Sequence, residues 1–179
     1  MPSRESNAIL AYWLLPAEPE RSALASTIAK LAAQFDAPLF EPHVTVYVSK
    51  KGAENPEEAL TGALAGCPPF RLSIRDVQCS DEFTKTVFVR FEQSPELSRL
   101  KCALQQASTG HDDYDLNPHL SLIYNEMSRD DKIAIATSIH LPFTEIVFDC
   151  AKAIISPTPV RSREDVEAWR VVATQKLTE

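Results

Sequence analysis

The hydrophobic pattern of this 179-residue chain switches repeatedly between the period of a strand and the period of a helix. The segments predicted as strands are residues 8–15, 43–49, 70–80, 84–92, 119–125, 143–156 and 168–177. The segments predicted as amphipathic helices are residues 20–35, 56–66, 95–107 and 129–139. Dispersed strands with hairpins and covering helices favour an α+β fold over a doubly wound parallel sheet.

Each half of this order contains strands, two helices and one copy of a short pattern. The pattern is Pro-His-aliphatic-hydroxyl-aliphatic, written PHVTV at residues 42–46 and PHLSL at residues 118–122. The chain length suits one sizeable core or two small lobes. We therefore expect a single domain, residues 1–179, built from two related lobes that face a central cleft.

Each copy of the pattern presents an imidazole beside a hydroxyl. Side chains alternate along a strand, so His43 and Thr45 share one face, as do His119 and Ser121. The intervening aliphatic residues anchor the opposite face. Each proline lacks a backbone donor and suits the first position of a strand.

Two such strands across a cleft predict cleavage of a phosphate ester without a metal ion. A neutral imidazole accepts a proton from the attacking water, and a protonated one donates a proton to the departing oxygen. Imidazole suits both tasks because its ordinary pKa lies near physiological pH. Hydroxyls at Thr45 and Ser121 would stabilise charge on the phosphoryl oxygens. A single H-x-T is a weak signal, and the second copy is what favours function.

The remaining histidines and the cysteines favour structural interpretations. His111 lies in a polar loop sequence, and His140 follows a predicted helix, where an imidazole commonly caps carbonyls. The cysteines are widely spaced without CxxC, so no zinc site and no other metal site is predicted, and reduced, buried thiols are favoured over disulfides. They are Cys67, Cys79, Cys102 and Cys150.

Composition excludes several classes of function. The formal charge is −7, and no polybasic run occurs, which disfavours long nucleic acid as a partner. Neither GxxxxGK[ST] nor GxGxxG is present, so ATP and dinucleotide cofactors are not supported and no cofactor is expected. The apolar segment at residues 8–15 is too short to cross a membrane and lacks a secretory cleavage pattern. We expect a cytoplasmic protein, and nothing requires more than a monomer.

The two motifs, HVTV and HLSL, resemble the paired HxT/S motifs of the 2H phosphoesterase superfamily. Length, motif spacing and the opening AYWLLP are most similar to the small cyclic phosphodiesterases of plant and fungal type. The resemblance implies two lobes of antiparallel sheet with helices outside and the histidines in a central cleft. It implies hydrolysis of small cyclic phosphates: ADP-ribose 1″,2″-cyclic phosphate, a by-product of tRNA splicing, or nucleoside 2′,3′-cyclic phosphates. By position, His43 and His119 would be the acid–base pair, with Thr45 and Ser121 as phosphate ligands.

Other positions stay open at this point. Tyr124 falls where that family has a tyrosine near the substrate, but strand parity places it opposite Ser121, so a core position is an equal alternative. Tyr12 and Trp13 either reach the cleft to stack on a base or remain in the core. Residues 83–85 either line the mouth of the cleft or form a solvated hairpin.

Two functional alternatives compete with a cyclic phosphodiesterase. The first is an RNA-end-processing 2′-5′ phosphodiesterase or ligase-like enzyme of the same superfamily, for which basic residues around the cleft are expected. The second is a non-catalytic nucleotide-binding module, which the intact histidines and hydroxyls disfavour.

Overall fold

A computed structural model of the protein describes residues 7–50, 55–108 and 113–179. Its strands are β1 (Asn7–Pro16), β2 (Val44–Ser49), β3 (Phe70–Cys79), β4 (Val87–Phe91), β5 (His119–Ile123), β6 (Glu145–Thr158) and β7 (Arg170–Lys176). Its α-helices are α1 (Glu20–Phe35), α2 (Pro56–Leu64), α3 (Pro95–Ala107), α4 (Arg129–Ser138) and α5 (Arg163–Glu167).

The strands form one antiparallel sheet in the order β1-β2-β5-β4-β3-β6-β7, and β1 also pairs with β6. The long strand β6 is shared: its first residues, Glu145 to Phe148, pair with β3, and the segment from Phe148 to Thr158 pairs with β1. Beyond Phe148, β7 pairs with β6 in turn. The α+β class with antiparallel strands is confirmed, and hydrogen bonding continues from one lobe into the other.

The lobes are not the two halves of the sequence. One lobe contains β1, β2, β7 and the larger part of β6, and the other contains β3, β4, β5 and the start of β6. Helices α2 and α3 contact the first lobe and α4 contacts the second, whereas α1 contacts β5 of the second lobe and β1 of the first. The two lobes therefore do not correspond to the two halves of the sequence, because β6, which follows α4, returns to pair with β1.

Local sequence explains where the helices begin. Ser94 accepts a hydrogen bond from the backbone N–H of Leu97, and Pro95 occupies the first helical position of α3. Asn55, Ser128 and Ser162 cap α2, α4 and α5 in the same way. Sequence periodicity did not indicate α5, which has only five residues. The turn predicted before β4 contains a 3-10 helix at Phe83–Lys85.

The core lies between the sheet and its helices. Its fully buried side chains of largest volume are Tyr12, Tyr47, Phe148, Leu14, Leu24, Ile28, Leu60, Leu72, Leu97, Leu104 and Leu120. Tyr12 belongs to this core and stacks on Tyr47, so the alternative that it reaches the cleft is wrong. No helix in the described part of the chain has the length and apolar character needed to span a bilayer.

Candidate active site

The two motif strands meet at a single residue pair, Val44 opposite Leu120. Both side chains are completely buried, so the opposite face of each strand carries the polar residues. In an antiparallel pair, the residue before one partner lies towards the residue after the other. The register therefore brings His43 towards Ser121 and Thr45 towards His119, and each imidazole neighbours the hydroxyl of the other motif.

The two imidazoles are held by the same backbone contact. His43 Nδ1 lies 2.6 Å from the carbonyl oxygen of Glu41, and His119 Nδ1 lies 2.7 Å from that of Asn117. A carbonyl only accepts, so each Nδ1 donates its proton. In the neutral ring the lone pair is then on Nε2, the nitrogen left for a substrate.

His43 is enclosed by aromatic rings. Trp13 stacks on it with ring centroids 3.6 Å apart, and Trp169 and Phe40 approach it edge-on. Burial lowers the pKa of His43 to about 4, with smaller contributions from His119 and from the cation of Lys152; the bond to the Glu41 carbonyl opposes these effects. His43 is thus a neutral imidazole at neutral pH, the state that accepts a proton.

His119 is more accessible than His43. Phe88 contacts its ring edge-to-face at 5.5 Å. Burial is also the main cause that lowers the pKa of His119, helped by Lys85, whereas the Asn117 carbonyl and the Glu82 carboxylate favour its protonated form. A cation therefore lowers the pKa of each histidine, Lys152 at His43 and Lys85 at His119, and at His119 the Glu82 carboxylate opposes it.

The motif hydroxyls differ as well. Ser121 Oγ donates to the carbonyl oxygen of Thr84 at 2.6 Å. Thr45 lines the cleft, is half-buried, and pairs with Trp13 in the β1–β2 register. The Ser121 hydroxyl therefore links β5 to the turn before β4 by a hydrogen bond. The position of Thr45 is set by the pairing of β2 with β1.

Tyr124 lines the cleft although its side chain is only 4% exposed, so its position combines the two alternatives. Strand β5 ends at Ile123, and strand parity does not extend past that residue. The ring stacks on Phe40 with centroids 4.0 Å apart, and the hydroxyl lies near Ser121. Burial raises the pKa of Tyr124, so its hydroxyl stays protonated and able to donate.

All five sequence-predicted site residues line one cleft of about 350 Å³. Trp13, Thr84 and Lys85 also line this cleft, so for these three residues the structure agrees with the alternative that places them at the cleft. Phe83 is not in the lining and contacts Tyr124, at a centroid distance of 6.0 Å. The further lining residues are Ile9, Ala11, Val48, Glu82, Tyr114, Asp115, Asn117, Ser156, Val160 and Trp169.

Sequence reasoning missed three features of this lining. Trp169 precedes β7, and it reaches the site only because β7 pairs with β6 beside β1. Tyr114 comes from the polar stretch before the second motif and contacts Tyr47 edge-on. Glu82 pairs with Lys85 at 2.8 Å, at the mouth of the cleft. The sequence signal that could have indicated Tyr114 is an aromatic residue in the loop next to the second motif. No sequence signal indicated Trp169.

The residues assigned to structural positions lie outside this cleft. His140 is exposed just after α4, with Nδ1 2.9 Å from the carbonyl oxygen of Ser138. His111 lies outside the described residues. The four cysteines are unpaired; only Cys150 is buried and Cys102 is exposed, so the expectation of buried thiols is wrong for Cys102. Within the described ranges, no group of three or more His, Cys, Asp or Glu is arranged to hold a metal ion.

Known proteins share this fold. A crystal structure of a phosphoesterase superposes with a TM-score of 0.61 at 17% identity, covering 96% of this chain and 99% of that one. E. coli LigT complexed with 3′-AMP gives a TM-score of 0.55 at 16% identity, covering 97% and 99%. At these identities the likeness concerns the fold.

Sequence comparison gives the family. An Arabidopsis thaliana protein named cyclic phosphodiesterase is 26% identical over 125 residues, which is 69% of each chain. The family model described as the 2′-5′ RNA ligase superfamily matches residues 19–153, which include both histidine motifs. This match covers well over half of the chain, and the expected resemblance is confirmed. The chain belongs to the 2′-5′ RNA ligase superfamily, the 2H phosphoesterases.

Proposed function

We propose that this protein is a metal-independent cyclic phosphodiesterase that opens small cyclic phosphates, namely ADP-ribose 1″,2″-cyclic phosphate, nucleoside 2′,3′-cyclic phosphates, or both. The observation that supports this best is the pairing of β2 with β5 at Val44 and Leu120, which groups two imidazoles and two hydroxyls in one cleft. The named relative from Arabidopsis thaliana supports the same reaction class.

In the proposed reaction the two histidines have different roles. His43, whose pKa is about 4, is the general base that takes a proton from water through Nε2. His119, beside the Glu82 carboxylate, is the general acid that protonates the departing ribose oxygen. An anionic phosphate in the cleft favours the protonated form of a facing imidazole, which loads the acid when substrate binds.

The hydroxyls and the aromatic walls complete the proposal. Thr45 donates to a non-bridging phosphoryl oxygen, where charge builds in the transition state, and Ser121 turns its single proton from the Thr84 carbonyl to a second one when substrate binds. Tyr124, whose hydroxyl lies near Ser121, donates a hydrogen bond to the Ser121 oxygen in this arrangement. Trp169 and Tyr114 offer flat apolar surface for the base or the second ribose of the substrate.

Cleft charge favours a small substrate over RNA. Among the described lining residues, Glu82 and Asp115 are acidic and Lys85 is the single cation, already paired with Glu82. An RNA end would bring several phosphates to a cleft with little positive charge to receive them. RNA-end processing is thus the second candidate, supported by the family model and disfavoured by this lining.

The test is product analysis by phosphorus NMR with purified protein in EDTA. The substrates are ADP-ribose 1″,2″-cyclic phosphate, a nucleoside 2′,3′-cyclic phosphate and a short RNA with a cyclic end. We expect the small cyclic phosphates to open, and His43→Ala and His119→Ala to lower turnover by at least about a hundredfold. His140→Ala is the matched control, since that imidazole has the same contact to a carbonyl two residues earlier but lies outside the cleft.

Other outcomes would redirect the proposal. Reaction of the RNA alone would place RNA-end processing first. A requirement for a divalent ion would exclude the two-histidine mechanism. Binding without turnover of any substrate would favour the nucleotide-binding module.

A further inference from the structure

An ion pair involves the residue that accepts a hydrogen bond from His43 Nδ1. Lys152 Nζ contacts Glu41 Oε2, and the backbone carbonyl of that same Glu41 accepts the Nδ1 proton of His43. The side chains of Lys152 and Glu41 are only 19% and 35% exposed. Lys152 does not line the cleft, so any effect it has on a reaction there passes through its neighbours.

Strand register explains why Lys152 lies close to the first motif. On β6 it pairs with Trp13 of β1, and Trp13 in turn pairs with Thr45 of β2. These three residues form a row across neighbouring strands, which places their side chains on one face of the sheet. Trp13, the middle residue of this row, stacks on the ring face of His43. The backbone carbonyl of Glu41 holds the same imidazole at Nδ1.

The second motif has the backbone contact without the ion pair. His119 Nδ1 donates to the carbonyl of Asn117, whose side chain is uncharged and whose residue is exposed. The ion pair near His119, Glu82–Lys85, lies at the mouth of the cleft and does not include the residue whose carbonyl holds the imidazole. An ion pair on the residue that anchors Nδ1 is therefore a feature of the first motif.

We propose that Lys152, through its ion pair with Glu41, is a positioning residue that fixes the orientation of the His43 imidazole. The proposal rests on the proposed function for its catalytic meaning. Its physical content, an effect of Lys152 on His43, is independent of any substrate.

The groups that face His43 set the direction of this effect. The charged or titratable ones are Glu41 from the preceding segment, His119 from β5 and Lys152 from β6. The others are the rings of Trp13, Phe40 and Trp169. The Lys152 cation lowers the pKa of His43, as does burial, so its removal moves that pKa upward.

The test uses the full chain and NMR titration of the His43 ring, beside kcat and KM on a nucleoside 2′,3′-cyclic phosphate. The variants are Lys152→Met, Lys152→Arg, Glu41→Gln and the double variant Lys152→Met/Glu41→Gln. Lys176→Met is the matched control, since Lys176 also pairs with an acid on β6, Asp149, but is 75% exposed and away from His43. Melting temperature shows which variants remain folded.

We expect Lys152→Met to raise the pKa of His43 by up to about one unit and to lower kcat about tenfold with little change in KM. Glu41→Gln should lower kcat similarly without raising that pKa, because the cation remains. Lys152→Arg should restore both quantities, and the double variant should lose no more activity than Lys152→Met.

Two results would overturn the proposal. In the first, the His43 titration of Lys152→Met coincides with those of the wild type and Lys176→Met. In the second, the losses of the single variants add in the double variant, which would make the two residues independent. If the wild type opens no cyclic phosphate, the proposed function fails, while the titration still decides whether Lys152 acts on His43.

Discussion

The indole of Trp13 lies parallel to the imidazole of His43, with ring centroids 3.6 Å apart and 12° between the ring planes. The contact covers one face of the imidazole, which limits hydration of a protonated ring and restricts its rotation. It also connects two neighbouring strands, β1 and β2, at the edge of the cleft.

The flat face of residue 13 should matter for catalysis. We expect Trp13→Phe to keep kcat within about threefold of wild type, and Trp13→Leu to lower it about tenfold, since the leucine side chain does not hold the imidazole in one plane. Steady-state kinetics on a cyclic nucleotide measures both. Equal kcat values in the two variants would show that an aromatic face is not needed.

The two hydroxyls should separate in their effects on stability. We expect Thr45→Val and Ser121→Ala each to lower kcat/KM by about a hundredfold, through loss of a donor to the phosphoryl oxygens. Ser121→Ala alone should also lower the melting temperature, because the Thr84 carbonyl loses its 2.6 Å hydrogen bond. Kinetics and thermal unfolding of both variants check this, and equal melting temperatures would contradict the structural role of Ser121.

Tyr124→Phe isolates the contribution of one hydroxyl. The substitution keeps the ring that stacks on Phe40 and removes the hydroxyl near Ser121 that is proposed to donate to it. We expect kcat/KM to fall about tenfold with the fold retained, since one neutral hydrogen bond to a substrate-contacting group is lost. Unchanged kinetics would assign Tyr124 a packing role only.

The pH profile should reflect two lowered pKa values. The base must be neutral, so kcat/KM is expected to rise as pH increases through the His43 pKa of about 4. The acid must be protonated, so kcat/KM is expected to fall again as pH increases through the His119 pKa, which lies below the ordinary imidazole value of 6.5. The maximum of kcat/KM therefore lies on the acidic side of neutrality. Rate measurements in buffers of constant ionic strength test this, and a maximum above pH 7 would contradict the role assignment.

Folding stability should depend on pH in the same range. His43 has a folded-state pKa of about 4 against an ordinary 6.5, so the unfolded chain binds the proton more readily between those values. Stability is then complete above pH 6.5 and is lost as pH falls through this window, by about 2 kcal/mol between pH 7 and pH 5 from this group. The lowered pKa of His119 acts in the same direction.

Urea unfolding at pH 7 and pH 5 measures the effect. His43→Gln has no titrating group at this position and should lose less stability over the interval than wild type does. His140→Gln, altered at an exposed imidazole, should follow the wild type. Identical losses in all three proteins would mean that His43 is not held neutral by the fold.

Local pattern predicted much of this structure. Hydrophobic period placed the strands and four of the helices, with α3 and α1 bounded as expected and the others differing by a few residues. Strand parity placed His43 with Thr45 and His119 with Ser121, because that alternation is a property of any extended segment. The shared cleft followed from the repetition of the motif.

What sequence did not predict depends on long-range pairing. Trp169 contacts Trp13 through the order of β1, β6 and β7, which no local pattern encodes. Lys152 reaches Glu41 across 111 positions of the chain. The side of the strand on which Tyr124 lies was ambiguous because strand parity applies only within a strand. A run of apolar residues did not indicate that β5 ends at Ile123.

The single pairing of Val44 with Leu120 has a consequence for regiochemistry. Around it, the reacting groups form an arrangement that looks nearly the same when rotated by half a turn, with imidazole and hydroxyl exchanging places. A cyclic phosphate has two ring oxygens that present themselves to such a site almost equally. In the proposed reaction, the choice of which P–O bond breaks therefore depends on the unlike surroundings of the two imidazoles, with Trp13 and the Lys152–Glu41 pair at His43 and Phe88, Glu82 and Lys85 at His119.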